Sequence, residues 1–369
     1  MLLLIVALLA PAAVLTAHAA CKLEVSELAV TMDGNVPTVG AKVNGVQARF
    51  IADSGAFWDM MTTATAQQFG LAVRPPPKSV LSFRVQGAGG ITDAMLTTVK
   101  ELTLTMNSHP IRNVDFIVVP GNLGNGIAGL LGQNLLRAAD VEYDLAHGAI
   151  RLVSPRGCKH TQLAYWARSE PVSTLDIKFA TPLSPHTTAS ALINGVQVSV
   201  LFDTGAPVSL LSLKAGNRMD VRPSSAGAVF AGPITGIGGR RVDTWVVPVA
   251  SVKIGDNEEI RNTRLRVGDV EMPIVGDAKN PIEKNPIDMI SGADFFLSHR
   301  IYVASSQHKL YFTYNGGPVF RLPATPGLSV PCGAAQNICR DPNSTLCETY
   351  REEFLSTHTT CPGVTDREH

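Results

Sequence analysis

Residues 42–56 read KVNGVQARFIADSGA and residues 192–206 read LINGVQVSVLFDTGA. Aligned without a gap, both carry Asn-Gly-Val-Gln, at 44–47 and 194–197, and both end on Asp-[Ser/Thr]-Gly-Ala, at Asp53 to Ala56 and Asp203 to Ala206. Apolar and polar residues alternate around each Asn-Gly pair, the pattern of two strands joined by a tight turn. Further landmarks repeat in the same order. Gly87-Ala88-Gly89-Gly90 answers Gly236-Ile237-Gly238-Gly239 at a spacing of 149, and Gly129-Leu130-Leu131-Gly132 answers Met289-Ile290-Ser291-Gly292 at 160. A short period would mean a solenoid, whereas two copies this far apart mean a duplicated domain. The growing offset predicts an insertion in the second copy, around Gly276 to Ile287.

The rest of each copy reads as β structure. Apolar runs from Phe116 to Val119 and from Thr244 to Val249 predict further strands, and short helices are expected over Thr63 to Phe69 and Asn134 to Ala138. The 369 residues hold 31 basic and 31 acidic side chains, and this balance argues against nucleic acid as the main partner. With 45% hydrophobic residues the chain has ample material for packed cores, while 32 Gly and 24 Pro favour turn-rich β structure over long helices.

The first residues do not belong to the fold. Met1 to Ala17 is almost wholly apolar, and Ala17-His18-Ala19 is a small-x-small pattern, so residues 1–19 read as a secretory signal peptide cut after Ala19. The run is short and interrupted by Pro11, which argues against a membrane span once the signal is removed. Lipidation at Cys21 is the weaker alternative, because His18-Ala19-Ala20 fits the expected sequence before a lipidated Cys poorly. A signal-anchored inner-membrane form is a further one. Export implies a periplasmic or secreted protein, and six cysteines in an oxidising space imply bridges. Cys21 opens the first copy and Cys158 closes it, which suggests a staple between them. Cys332, Cys339, Cys347 and Cys361 are expected to pair among themselves, with three connectivities open. The expected organisation is a signal peptide (1–19), a first lobe (20–156), a linker (157–185), a second lobe (186–322) and a Cys-rich tail (323–369).

The chemistry lies in the twin acids. A strand ending at Asp-[Ser/Thr]-Gly holds a carboxyl at a tight turn, where the hydroxyl of Ser54 or Thr204 can bond to stiff backbone. Two such turns face to face bring two carboxyls within reach of one water. Like charges that close cannot both stay ionised, so the pair shares a proton. The ionised member can then take a proton from water while the protonated member polarises a carbonyl.

With these motifs the chain resembles the retropepsin-like aspartic proteases, relatives of the retroviral and pepsin-like enzymes. The residues that carry the resemblance are Phe50-Ile51-Ala52-Asp53-Ser54-Gly55-Ala56 with Leu130-Leu131-Gly132 and its following helix, and Val200-Leu201-Phe202-Asp203-Thr204-Gly205-Ala206 with Ile290-Ser291-Gly292. It implies an all-β, bilobal fold, with two closed β-barrel lobes and a cleft between them. It further implies an aspartic endopeptidase with Asp53 and Asp203 as the catalytic dyad, supported by Ser54, Gly55, Thr204 and Gly205, with no cofactor and no metal. Gly87, Gly89 and Gly90, with Gly236, Gly238 and Gly239, would form flaps over a peptide or unfolded protein substrate. Because both copies lie on one chain, a monomer is expected to suffice. The rival reading is a non-catalytic peptide-binding or scaffold protein that keeps the fold.

The chain departs from the family pattern at several points. Phe57-Trp58-Asp59 follows the first motif, and its acid would either perturb the dyad or lie on the surface. Ser291 puts a hydroxyl where an aliphatic residue is usual. Ala56 and Ala206 offer the carboxyls no side-chain donor, which predicts activity from mildly acidic towards neutral pH. Asp144 and Asp294 read as turn residues. No His-Glu-x-x-His run, Gly-x-Ser-x-Gly elbow or phosphate-cradling Lys-[Ser/Thr] is present. Asn343-Ser344-Thr345 matches a glycosylation acceptor.

Overall fold

The computed structural model of the chain describes residues 21–77, 84–87, 89–105, 109–178, 185–270 and 287–320. The expected leader, nearly all of the expected insertion, the four tail cysteines and Asn343 lie outside the described residues. The first half contributes β1 (Lys22–Asp33), β2 (Val36–Val43), β3 (Val46–Ala52), β4 (Met60–Thr62), α1 (Thr63–Gln68), β5 (Arg84–Gly87), β6 (Gly90–Asp93), β7 (Met95–Leu104), β8 (Ile111–Val119), β9 (Gly129–Leu131), α2 (Gln133–Leu136), β10 (Asp140–Asp144) and β11 (Ala149–Arg156). The second adds β12 (Ser173–Asp176), β13 (Thr188–Ile193), β14 (Val196–Phe202), β15 (Leu210–Ser212), α3 (Leu213–Arg218), β16 (Val229–Ile234), β17 (Val242–Ile254), β18 (Glu258–Gly268), β19 (Met289–Ser291), α4 (Ala293–Ser298), β20 (His299–Ala304) and β21 (Lys309–Tyr314).

The duplication is visible in the topology. Strands β2, β3, β9, β4, β8 and β7 are neighbours in that order, and β7 pairs back onto β2 to close the ring. Strands β13, β14, β19, β15, β18 and β17 repeat the order, and β17 closes onto β13. The chain is therefore all-β and bilobal, with a closed barrel in each half. Each Asn-Gly turn bends because both residues take left-handed backbone: φ is 49° and 87° at Asn44 and Gly45, and 49° and 78° at Asn194 and Gly195. The Asn side chains also dock the hairpins. Asn44 Oδ1 accepts the Glu101 N–H at 3.0 Å, and Asn194 Oδ1 accepts the Ala250 N–H at 3.0 Å.

A continuous sheet, ordered β12-β21-β20-β10-β11-β1, joins the halves, with β10 of the first paired to β20 of the second. Glu142, on that seam, is fully buried and accepts from Arg151 of its own half and from Arg300 of the other. Asp144 shares both arginines, at 3.1 and 3.5 Å. A buried carboxylate without such partners is strongly unfavourable. Asp144 is thus no turn residue: it ends β10, buried, within an ion network across the seam. Arg300 also stacks on the Trp166 ring, 4.6 Å from its centroid, so residues between the halves pack onto this sheet.

The sulfur atoms of Cys21 and Cys158 lie at bonding distance, tying the start of β1 to the segment after β11 across 137 residues of chain. Replacing Cys158 by Ser is expected to lower the unfolding free energy of the oxidised protein by roughly 2–5 kcal/mol. Urea denaturation reads this directly, and a midpoint that dithiothreitol leaves unchanged would show that no bridge forms.

Candidate active site

Strands β3 and β14 bury Phe50 and Phe202 and then release one acid each. The Asp53 N–H donates to the Leu131 carbonyl and the Asp203 N–H to the Ser291 carbonyl, both at 2.9 Å, so β9 and β19 anchor the motif backbones. Beyond each acid the chain turns back on the carboxylate. The N–H groups of Gly55 and Ala56 donate to Asp53 Oδ1 at 2.9 Å, and those of Gly205 and Ala206 donate to Asp203 Oδ1 at 2.8 and 3.2 Å. Ala56 and Ala206 thus supply backbone donors although their side chains cannot.

The two motifs interlock through a reciprocal exchange. The Ser54 N–H donates to Thr204 Oγ1 at 3.0 Å, and the Thr204 N–H donates to Ser54 Oγ at 2.9 Å. Each hydroxyl then donates onward to the opposite strand, Ser54 to the Phe202 carbonyl at 2.9 Å and Thr204 to the Ala52 carbonyl at 2.6 Å. Both residues are buried, at 2% and 0% exposure, so these polar groups have no water to fall back on. Above this lock the carboxyls lie against the opposing glycines. A Cβ on Gly55 would stand 2.2 Å from Asp203 Cγ, and one on Gly205 would stand 2.3 Å from Asp53 Cγ. Only hydrogen leaves room for the second acid.

Asp53 and Asp203 hydrogen-bond to each other, and each side chain stays half-buried. Burial pushes Asp53 well above the usual carboxyl range, followed by the charge of Asp203 and the hydrogen bond between them; the Ala56 and Gly55 amides oppose the shift. Burial also raises Asp203, against the bond from Asp53 and the surrounding amides. The pair therefore holds a proton at a pH where free carboxyls are ionised.

Several neighbours were not singled out in the sequence. Tyr143 is buried beside the lock and hydrogen-bonds to the Ser54 side chain; burial raises its phenol, which stays neutral. His186 hydrogen-bonds to the Gly55 backbone, while burial lowers its imidazole. The Gln133 amide donates to the Ser54 carbonyl at 2.6 Å. Asp59 is fully buried, so the surface reading fails. Its carboxylate accepts the Gly132 N–H at 2.7 Å and the Asn134 amide at 2.8 Å, and burial still pushes it to about 7. The second half reverses the chemistry. There Ser209 faces Asp294, whose Oδ1 accepts the Ser209 N–H at 2.9 Å and hydroxyl at 2.7 Å, and burial again pushes the acid to about 7. Asp294 is therefore a buried helix residue rather than a turn residue. The repeat offsets of 150 and 160 pair Asp59 with Ser209 and Asn134 with Asp294, so the couple could have been found by extending the alignment. The Ser291 hydroxyl is buried without a partner among the described residues.

The glycine-rich segments meet tip to tip. The Gly89 N–H donates to the Ile237 carbonyl at 2.9 Å, and the Arg240 N–H donates to the Gly89 carbonyl at 2.8 Å. A Cβ on Gly238 would stand 2.5 Å from the Gly90 carbonyl carbon, so the hairpins touch backbone to backbone. Gly87 lies against Ile237 as well, and the Gly239 N–H closes the second tip onto the Gly236 carbonyl at 3.0 Å. Ile237 packs against an apolar cluster of the first half formed by Ala56, Met60, Val85, Ile117 and Leu130. Among the described residues no three His, Cys, Asp or Glu side chains converge as metal ligands would.

Residues 39–138, which include Asp53, match the family model described as "gag-polyprotein putative aspartyl protease". Residues 189–295, which include Asp203, match the family model described as "Aspartyl protease". No curated protein matches the chain. Among solved structures, the crystal structure of a retropepsin-like aspartic protease from Rickettsia conorii is similar at 20% identity, over 37% of this chain and 95% of that chain, with a TM-score of 0.26.

Two consequences of this geometry can be measured. Thr204→Val keeps the shape but strands the Ser54 N–H and the Ala52 carbonyl, so a loss of about 2 kcal/mol or more in chemical denaturation is expected. Asp59 has a folded pKa of about 7 against an ordinary value of 3.8, so the folded state binds the extra proton. Its contribution to stability is complete below the ordinary value and is lost as pH rises through about 7. Asp59→Asn should therefore flatten the fall in stability between those pH values, while the part due to Asp294 remains.

Proposed function

We propose that this chain, which belongs to the retropepsin-like aspartic proteases, is an endopeptidase that cleaves peptide bonds with water held between Asp53 and Asp203. The observation that carries the reading is the Ser54–Thr204 exchange, beside which each acid lies against the glycine of the opposite motif and keeps part of its surface exposed.

The pair enters the cycle with one proton. Its ionised carboxylate takes a proton from the water as the oxygen attacks the scissile carbonyl, and the protonated carboxyl donates to the carbonyl oxygen. The tetrahedral gem-diol then collapses: the C–N bond breaks as the protonated carboxyl passes its proton to the leaving nitrogen, a gem-diol hydroxyl gives its proton to the other carboxylate as the new acid's carbonyl forms, and the pair is back to one proton. Which acid holds the proton is a property of the pair. The touching hairpins at Gly87, Gly89 and Gly90 and at Gly236, Gly238 and Gly239 act as flaps. They part to admit an extended peptide and then offer it backbone groups. Both acids lie on one chain, so a monomer is competent. The Cys21–Cys158 contact and the apolar leader favour action in the periplasm or outside the cell. Among the described residues no helix is long and apolar enough to cross a membrane. N-terminal sequencing of the exported protein tests removal of the leader.

Asp53→Asn and Asp203→Asn are each expected to reduce cleavage of a mixed peptide library by about 1000-fold or more. Equal cleavage by wild type and variants would overturn the dyad, and a wild type that binds peptides without cleaving them would favour a binding protein. Because both acids are raised, the alkaline limb of kcat/KM should lie above the range of a free carboxyl, with activity persisting towards neutral pH. A profile peaking below about pH 3 would contradict this.

A further inference from the structure

The two halves differ at one matched strand position close to the motif acids. In the first barrel β4 pairs in parallel with β8, placing Met60 beside Ile117. Both belong to the apolar cluster that runs from Ala56, three residues past Asp53, to Ile237 at the opposite flap tip. The same register in the second barrel places Leu210 beside Arg266. Leu210 there belongs to the matching small cluster with Val242, Val270 and Ile290, against which Ala206 and Ile234 pack. Leu265 and Val267 face the main core, so strand alternation turns Arg266 to the other side, towards that cluster.

An arginine where its twin has isoleucine is costly unless its donors are used. Arg266 is 8% exposed. Nη2 donates to the Ala231 carbonyl at 3.0 Å, in the strand leading to the second flap, and Nε has no acceptor among the described residues. The charge of Asp294 acts on Arg266, but Asp294 Oδ1 is taken by Ser209 and Phe295 and no ion pair with Arg266 forms. Beside this cluster the protein thus holds a buried cation with an unused donor.

We infer that Arg266 makes this pocket selective for an acidic substrate side chain, Glu or Asp, whose carboxylate bonds to Nε, while the pocket of Met60 and Ile117 accepts an aliphatic one. The inference rests on the proteolytic reading for its kinetic test but not for its binding test. A carboxylate matches the planar guanidinium, whereas an amide supplies only one neutral acceptor.

The experiment uses peptide sets carrying Glu, Gln or Leu in turn at each of three positions on either side of the cleaved bond. At one position wild type should prefer Glu over Gln by about 10- to 100-fold in kcat/KM, the range of a hydrogen bond to a charged group. In Arg266→Met the ratio should fall to near one. Arg266→Lys, which keeps the charge without the fork and so guards against misfolding of the Met variant, should give an intermediate ratio. The same Glu/Gln pairs are titrated against Asp203→Asn, where binding is read without turnover. A wild-type ratio near one at every position, in cleavage and in binding, overturns the inference and leaves the protease reading standing. A ratio unchanged in Arg266→Met also overturns it. A binding ratio that depends on Arg266 in a protein that cleaves nothing supports the pocket while defeating the hydrolytic reading.

Discussion

The exchange between Ser54 and Thr204 is the constraint on which the rest depends. Two backbone amides and two hydroxyls, all out of water, satisfy one another only if the strand ends meet in one register. Slipping that register would orphan four buried polar groups at once. The lock therefore tolerates little error and fixes where the following residues sit. Asp53 and Asp203 are adjacent because their neighbours are bonded, and Gly55 and Gly205 are needed because each opposing carboxyl occupies the space a Cβ would take.

The lock carries only part of the association of the halves. The sheet through β10 and β20, with Glu142 and Asp144 held between Arg151 and Arg300, joins them as well. Those arginines neutralise the two carboxylates, whereas Asp53 and Asp203 face no cation in an ion pair among the described residues. The two sets of acids thus have opposite surroundings. The seam acids are paired and serve architecture, while the central acids are crowded together and retain a proton, which suits the proposed acid–base chemistry.

Duplication supplied symmetry, and later divergence has broken it in definite places. The carboxylate that supports the turn sits on the motif side in the first half, as Asp59, and on the helix side in the second, as Asp294. Both solutions tie the residues after the motif to the segment that enters the following helix. The exchange of Ile117 for Arg266 does not preserve the chemistry. It sets a buried guanidinium where the first half has an aliphatic side chain.

The sequence alone carried the duplication, the all-β bilobal class, the two short helices of the first half, and the two Asp-[Ser/Thr]-Gly turns. These were legible because strand alternation, Asn-Gly turns and glycine spacing are local properties, and repetition makes a weak local signal strong. Asp59, Asp294, Asp144 and Arg266 were misread or passed over because burial is not local. A charged residue looks like surface until the fold closes over it, and partners such as Gly132 for Asp59, Ser209 for Asp294 and Arg300 for Asp144 lie about 70 to 160 residues away along the chain. The order of residues determined which groups repeat; only tertiary packing decided which of them would be shut away from water, and beside what.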